Sequence, residues 1–428
     1  MLRFLYNFFL IIFYIPYIIL ISLRIFFNKE HKSKFIEKLF FNKIQKPDGF
    51  LFWFHVASIG EFNSILPIIN HYSKENKKYN FLITTVTLSS YNEFRKKFGK
   101  NHRVFHQFLP YDLNLFINNF LKSWKPDIAS FVDSEIWPNF IFGIKKKNIP
   151  LVLLNARITN KTFKRWFFFR RFSKILFGFF SVCIASSEET QKNLNLLEAK
   201  KVKYYGNIKF CSNVRNDEKI NDHQFDKIKN KKVWCAVSTH DNEELFCSKV
   251  QSIIKKTEKE SLCIIIPRHV NRTKKIFLKL KRLGFKLQIK NENDAIDGSA
   301  EIVLVNYYGA VNVFLSKIKN VFIGKSLIKK LIKVGGQNPI EAAKMGCFIF
   351  HGPFVSNFAE IYHYLKQKEF SEKINYPEEL ANKLIKNFNG NQKVVDKERL
   401  EKLEIYSNSI FTKIINEYEI LINENSKT

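Results

Sequence analysis

From residue 51 onward the chain repeats one pattern: a short apolar run, a polar turn, then a segment with helical spacing. The runs LFWFHVAS, YNFLITTVTL, PDIASFVDS, IPLVLLNA and FSVCIASS come first. After a looser stretch, YYGNIKFCSNVRN, a second series follows: KVWCAVST, LCIIIPRH, EIVLVN, NVFIG and CFIF. Near-continuous apolar runs that alternate with helices call for parallel sheets covered on both faces. Two such series imply an α/β protein of two doubly wound domains, with a boundary at residues 210–225, and 428 residues suffice for two cores. Such domains bind ligands beyond the C-terminal ends of their strands, and a facing pair uses the cleft between them. No internal repeat points to a solenoid.

Ahead of this pattern, residues 4–23 carry no charge. A helix of about 20 residues spans about 30 Å, so a membrane anchor is expected over residues 1–27, with Pro16 able to kink it and an in-plane helix as the alternative. Bulky residues continue through Ile25, Phe26 and Phe27, where a signal peptide would need small ones. Arg24, Lys29, Lys32, Lys34, Lys38, Lys43 and Lys46 follow, against Arg3 alone upstream. That bias places the body on the cytoplasmic side, with the basic run on anionic headgroups.

Lys and Arg number 70 against 39 acids, a net +31. Part of that excess follows from a Lys-, Asn-, Ile- and Phe-rich composition; the rest suits an anionic partner such as nucleic acid, an acidic membrane or a phosphorylated substrate. No nucleic-acid module is recognisable. Cys183, Cys211, Cys235, Cys247, Cys263 and Cys347 form no C-x-x-C pair and fall mostly in apolar runs, as buried free thiols do. His240, His269 and His351 lie in separate loops, and no zinc pattern appears.

The polar loops follow the strands. HVASIGEFN puts Glu61 at a helix start, where it fits either helix capping or a general base facing a ligand. DSEIWPN carries Glu135 beside a rigid Trp-Pro step, again as cap or as site acid. Lys209 lies in GNIKF near the boundary. PRH places Arg268 at a strand end, where a planar permanent cation suits phosphate. In GGQNPIE, Gly335 and Gly336 permit close backbone approach, and Asn338, Pro339 and Glu341 read as N-cap, first helical residue and capping-box acid. The aromatic and basic run FKRWFFFRR, 163–171, suits either a lipid acceptor or packing on its own core.

Taken in order, HVASIGE, SEIWPN, LLNARIT, YGNIKF, STHDNEE, IIPRH and GGQNPIEAAKMGCFIFHGPFVSNFAEI resemble the segments of bacterial 3-deoxy-D-manno-octulosonic acid (Kdo) transferases, over roughly residues 30–400. The resemblance implies a GT-B glycosyltransferase (family 30) at the cell inner membrane, moving Kdo from CMP-Kdo to the lipid A precursor, lipid IVA. It implies an acceptor-binding domain over 28–215 and a CMP-Kdo-binding domain over 216–428; the charged, helix-patterned tail from Pro377 onward carries no motif and is expected to pack across both. Glu61 aligns with the family's general base, and Glu135 and Lys209 with residues that stabilise the transition state. Donor contacts carry over to Pro267 and Arg268, to Tyr308, Gly309 and Ala310, and to Asn338, Pro339, Ile340 and Glu341. Where the family shows a Met-Gly-Glu-like triplet, this chain has Tyr308-Gly309-Ala310, so that contact falls to the backbone or is lost.

A CMP leaving group needs few positive charges, so no metal or other cofactor is expected; with Glu61 activating the attacking hydroxyl and CMP leaving from the opposite face, the expected outcome is inversion through an oxocarbenium-like state. Two other readings share parts of the pattern. One is another GT-B nucleotide-sugar enzyme, such as a UDP-sugar transferase or epimerase. The other is a basic membrane-surface binding protein with no catalysis.

Overall fold

The computed structural model describes residues 2–39, 46–212, 222–390 and 395–425; Lys43 and residues 213–221 of the expected boundary lie outside them. The chain divides into two units, residues 1–212 with 407–428, and residues 213–406. The first holds β1 (Phe50–Val56), β2 (Tyr79–Thr85), β3 (Val104–Phe108), β4 (Ile128–Val132), β5 (Leu151–Ala156), β6 (Val182–Ala185) and β7 (Val202–Tyr204). They form a seven-stranded sheet in the order β3-β2-β1-β4-β5-β6-β7, with every pair parallel.

The second unit holds β8 (Lys232–Thr239), β9 (Ser261–Pro267), β10 (Leu287–Lys290), β11 (Ile302–Val305), β12 (Asn320–Ile323), β13 (Phe348–His351) and β14 (Ser371–Lys373). Their order is β10-β11-β9-β8-β12-β13-β14, again parallel throughout. Strand order reverses between β1 and β4 in the first sheet and between β8 and β12 in the second. At such a switch point neighbouring connections leave in opposite directions, opening a crevice past the strand ends.

The strands form because their residues are apolar on both faces. In β1 every residue from Leu51 to Val56 is buried. Phe52 stacks on Phe81 at 5.5 Å and on Tyr72 at 4.8 Å on one side, while Trp53 meets Phe120, Phe131 and Phe140 on the other. All six cysteines are buried and free.

In the final helix, Lys397–Asn425, residues up to Tyr406 belong to the second unit and those from Ser407 onward to the first. Buried Tyr418 shares a 2.7 Å hydrogen bond with Ser130 Oγ, and Tyr205 and Tyr72 donate to Glu417 and Glu419 at 2.7 and 2.6 Å. Earlier in the same helix, Tyr406 stacks on Tyr364 of the second unit at 4.3 Å.

At the other end, the continuous spanning helix expected over 4–23 is instead two helices, Leu2–Ile12 and Tyr14–Phe26, bent by 46°. Among the described residues no single helix is long and apolar enough to cross a membrane. Pro16 explains the break, since it offers no N–H to the Ile12 carbonyl and its ring crowds that oxygen. The tyrosines that interrupt the apolar run seat the pair on the first unit. Tyr6 donates to Asp112 Oδ2 at 2.7 Å, Tyr14 donates to the Leu39 carbonyl at 2.6 Å, and Tyr17 stacks on Tyr111 at 4.7 Å. Phe4, Ile11, Ile15, Leu20 and Phe26 remain exposed on the other side.

Candidate functional site

The loops after β1 and β4 bring the first unit's expected residues together. Ser58 caps the helix Ile59–Glu75, and Glu61 closes a reciprocal capping box. The Glu61 N–H donates to Ser58 Oγ at 3.3 Å, while Ser58 Oγ and the Ala57 N–H donate back to the carboxylate at 2.8 and 2.7 Å. The capping reading of Glu61 therefore describes its local geometry, and that geometry holds the carboxylate still. Burial lifts its pKa against those hydrogen bonds, and the negative charges of Asp133 and Glu135 lift it further.

Glu135 sits at the end of a polar chain running through the core. Trp53 Nε1 donates to Thr84 Oγ1 at 2.9 Å, and Thr84 Oγ1 lies 3.0 Å from His55 Nδ1. His55 Nε2 lies 3.1 Å from Glu135 Oε2, which also accepts from Trp137 Nε1 at 2.8 Å. Because a carboxylate only accepts, the network assigns the His55 proton to Nε2 and leaves Nδ1 to accept from Thr84. Burial raises Glu135, but the His55 and Trp137 donors outweigh it and leave this carboxyl below its ordinary range.

Lys209 reaches the same group of residues through Asp133, with Nζ 3.5 Å from Oδ2. Its turn is set from two sides: Asn207 Oδ1 accepts from the Lys209 N–H at 3.0 Å, and Asn155 Oδ1 accepts from the Ile208 N–H at 3.1 Å. Asp133 and Asn155 both adopt left-handed backbone, with φ of 62° and 52°. Sequence reasoning missed His55 and Asp133. The available signals were a histidine inside the apolar run FLFWFHV and an aspartate at the exit of a buried strand.

In the second unit the expected donor residues lie at several strand ends. Pro267 ends β9, and Arg268 follows it, exposed, with its N–H donating to the Thr239 carbonyl at 3.0 Å. Tyr308 is exposed, Gly309 adopts φ 88°, and buried Ala310 opens the helix Ala310–Lys317. Gly309 must therefore stay glycine, and the backbone route expected for this triplet has a helix start available.

Asn338 Oδ1 accepts from the Ile340 N–H at 3.2 Å, but the helix it opens, Ile340–Lys344, starts one residue later than expected and has only five residues. Pro339 has helical angles, and its carbonyl accepts the first intrahelical bond, from the Ala343 N–H at 3.0 Å, which makes it the N-cap. With so few aligned peptides, little dipole is left to hold a charge. The Gly335 pair serves close approach, since a Cβ there would lie 2.3 Å from the Phe354 carbonyl oxygen.

STHDNEE supplies scaffolding. Buried Glu243 accepts from the backbone N–H groups of His240, Lys325, Ser326 and Leu327 at 2.9, 2.7, 2.9 and 3.0 Å. One carboxylate thereby locks the loop after β8 to the loop after β12. Among the described residues, no group of three or more His, Cys, Asp or Glu is placed to hold a metal ion.

A sequence-family model described as 3-deoxy-D-manno-octulosonic-acid transferase (kdotransferase) matches residues 30–212. The 3-deoxy-D-manno-octulosonic acid transferase of Rickettsia bellii is 32% identical over 373 residues, covering 86% of this chain and 86% of that protein. The enzyme of the same name from Haemophilus influenzae is 26% identical over 318 residues, covering 73% and 72%. Among solved structures, UDP-GlcNAc 2-epimerase from Neisseria meningitidis superimposes with a TM-score of 0.58 at 13% identity, over 86% of this chain and 100% of that one. At that identity the likeness shows a shared GT-B-like fold of two parallel-sheet domains.

Proposed function

Since this chain belongs to the 3-deoxy-D-manno-octulosonic acid (Kdo) transferases and is a glycosyltransferase, we propose that it moves Kdo from CMP-Kdo to a hydroxyl of lipid IVA with inversion at the anomeric carbon. The observation that carries the mechanism is the pair of carboxylates at the β1–β4 switch point, one pushed up and one held down. Opposed environments of this kind separate a carboxylate that takes a proton more readily from one that stays ionised.

In this reading Glu61 takes the proton of the attacking hydroxyl. The acceptor oxygen bonds to the anomeric carbon as the bond from that carbon to the phosphate oxygen breaks, and CMP leaves on the opposite face as a phosphate monoester. Glu135, ionised and oriented by His55 and Trp137, stabilises positive charge developing on the sugar. Arg268 offsets negative charge on the departing phosphate, and Lys209, steadied by Asp133, supports the transition state. With these cations of its own, the proposed reaction needs no metal.

We also propose that the body of the protein rests on the cytoplasmic face of the inner membrane. The bent N-terminal pair exposes one apolar side. A second candidate contact is the pair of helices Asn160–Phe168 and Arg170–Phe177: Phe163, Trp166 and Phe172 pack inward, while Phe167, Phe168, Phe169 and Ile175 are exposed among Lys and Arg. The inward side chains fit the packing reading of the FKRWFFFRR run, and the exposed ones suit acyl chains and lipid phosphates.

The test is mass spectrometry of tetra-acylated lipid A precursor incubated with purified protein and CMP-Kdo, beside Glu61→Gln. Wild type should add Kdo, and the variant should add none while still binding CMP. An unmodified precursor with folded, CMP-binding wild type would overturn the acceptor assignment. An active variant would remove Glu61 as the base.

A further inference from the structure

The second unit's switch point, between β8 and β12, carries a cation that the sequence motifs do not mark. Lys325 directly follows Gly324 at the end of β12 and adopts φ 59°, a left-handed conformation that side chains with a Cβ rarely take. Strain of this kind persists where surrounding contacts impose it, and it concentrates at ligand clamps. Here the contacts are explicit. The Lys325 N–H donates to Glu243 Oε2 at 2.7 Å, and its carbonyl accepts from the Gly336 N–H at 2.7 Å. Lys325 therefore links the STHDNEE scaffold to the glycine loop.

Charge is the second observation. The Arg268 N–H donates to the Thr239 carbonyl at 3.0 Å, and the next residue, His240, donates to the same Glu243 Oε2 that the Lys325 N–H reaches, at 2.9 and 2.7 Å, so backbone contacts place the two cations in one locality; burial and the Arg268 charge lower the affinity of the Lys325 ammonium for its proton. Nearby acids are committed elsewhere. Glu243 is taken by four backbone N–H groups, and Arg272 engages Glu244 at 2.9 Å and Asp241 at 3.4 Å. Among the described residues neither the Lys325 nor the Arg268 side chain has an acidic partner. Two adjacent cations without a counter-ion, on backbone held in place by a buried carboxylate, form a site arranged for an anion.

We infer that Lys325 acts with Arg268 to bind the phosphate of the nucleotide donor at the ends of β12 and β9. This deepens the donor assignment above and rests on it. Arg268 offers a planar fork and Lys325 a point charge, so together they can engage different oxygens of one phosphoryl group.

The test is calorimetric titration of the full-length protein with cytidine, CMP and CMP-Kdo, comparing wild type with Lys325→Gly, Lys325→Gln and Lys325→Arg. Glycine accepts φ 59° freely, so Lys325→Gly should unfold no earlier than wild type in a thermal melt. Lys325→Gly and Lys325→Gln should weaken CMP and CMP-Kdo by about tenfold or more, leave cytidine unchanged, and be largely rescued in Lys325→Arg. CMP binding at wild-type strength in Lys325→Gly, or equal losses for cytidine and CMP, would overturn the assignment while leaving the donor reading intact. A loss confined to CMP-Kdo would move the contact to the Kdo carboxylate and overturn the phosphate assignment. Wild type that binds neither CMP nor CMP-Kdo would sink the donor reading itself.

Discussion

The two switch points are built on the same plan and carry opposite charge. At the β1–β4 point of the first unit stand Glu61, Asp133 and Glu135, with Lys209 held by Asp133. At the β8–β12 point of the second stand Arg268 and Lys325, with the carboxylate of Glu243 consumed by backbone. Both points also collect left-handed residues: Asp133 and Asn155 in one, Ser238, Asn242 and Lys325 in the other. The lesson is that a parallel sheet supplies a crevice and a supply of directed loops, whereas the loops decide which charge the crevice carries.

That division of labour can be broken by experiment. The largest effect is expected at Glu61. Glu61→Gln should lower the transfer rate by about 10²–10⁴-fold with CMP affinity unchanged, measured by product formation beside titration with CMP. A variant that instead lost CMP affinity would dissolve the contrast. Next comes Arg268→Ala, which should weaken CMP by about 10–100-fold and leave the rate at saturating donor nearly intact. A collapse of the saturated rate would assign Arg268 to the chemical step.

A smaller effect sharpens the contrast within the first unit. Trp137→Phe removes one donor to Glu135, whose folded pKa is depressed. A depressed carboxyl contributes stability above its unfolded pKa that is lost as pH falls through the folded one. The variant should therefore be less stable by roughly 1.5 kcal/mol at neutral pH and converge with wild type in acid. Denaturant melts across pH check this, and a difference that persisted undiminished in acid would detach Trp137 from the Glu135 charge.

The smallest effect concerns Asp112, which accepts from Tyr6 and from the N–H groups of Asn139 and Phe140 at 2.7, 3.2 and 3.1 Å. It thereby ties the N-terminal helix to the segment after Glu135. Burial, against those hydrogen bonds and Arg3, pushes its carboxyl from the ordinary 3.8 up to about 7. Between those values the folded chain binds more protons than the unfolded chain, so stability falls as pH rises. Asp112→Asn removes that slope, and its stability relative to wild type should rise across the window and level off above it. A difference that stays flat with pH would show that the carboxyl is not held up.

Much of this architecture was legible beforehand because its causes are local. Apolar runs such as FLFWFHV and LCIIIP have to be buried on both faces, and Ser58 with Glu61 carries a helix start within four residues. Glu135, Lys209 and Arg268 lie at strand exits or in tight turns that their neighbours announce. The ends of the chain were harder to read. The uncharged stretch at 4–23 has the composition of a span, but Pro16 and the tyrosines divide it into a bent pair with one seated side. The charged final helix gave no sign of which core its Tyr418 enters.

By itself, then, the sequence determined the two parallel sheets, the register of apolar and polar residues along each strand, and which loops present chemical groups. Those follow from burial and backbone rules that act over a few residues. Only the tertiary structure decided the partnerships. Nothing local to HVASIGE foretells that His55 meets Glu135, 80 residues away, or that Asp133 meets Lys209. Nothing in FIGKS foretells that Glu243 reaches 82 residues to hold Lys325 beside Arg268. Hydrogen bonds and charge interactions fall off within a few ångströms. They exist only after strand order has brought distant segments together, and strand order is settled by how whole helices and sheets pack.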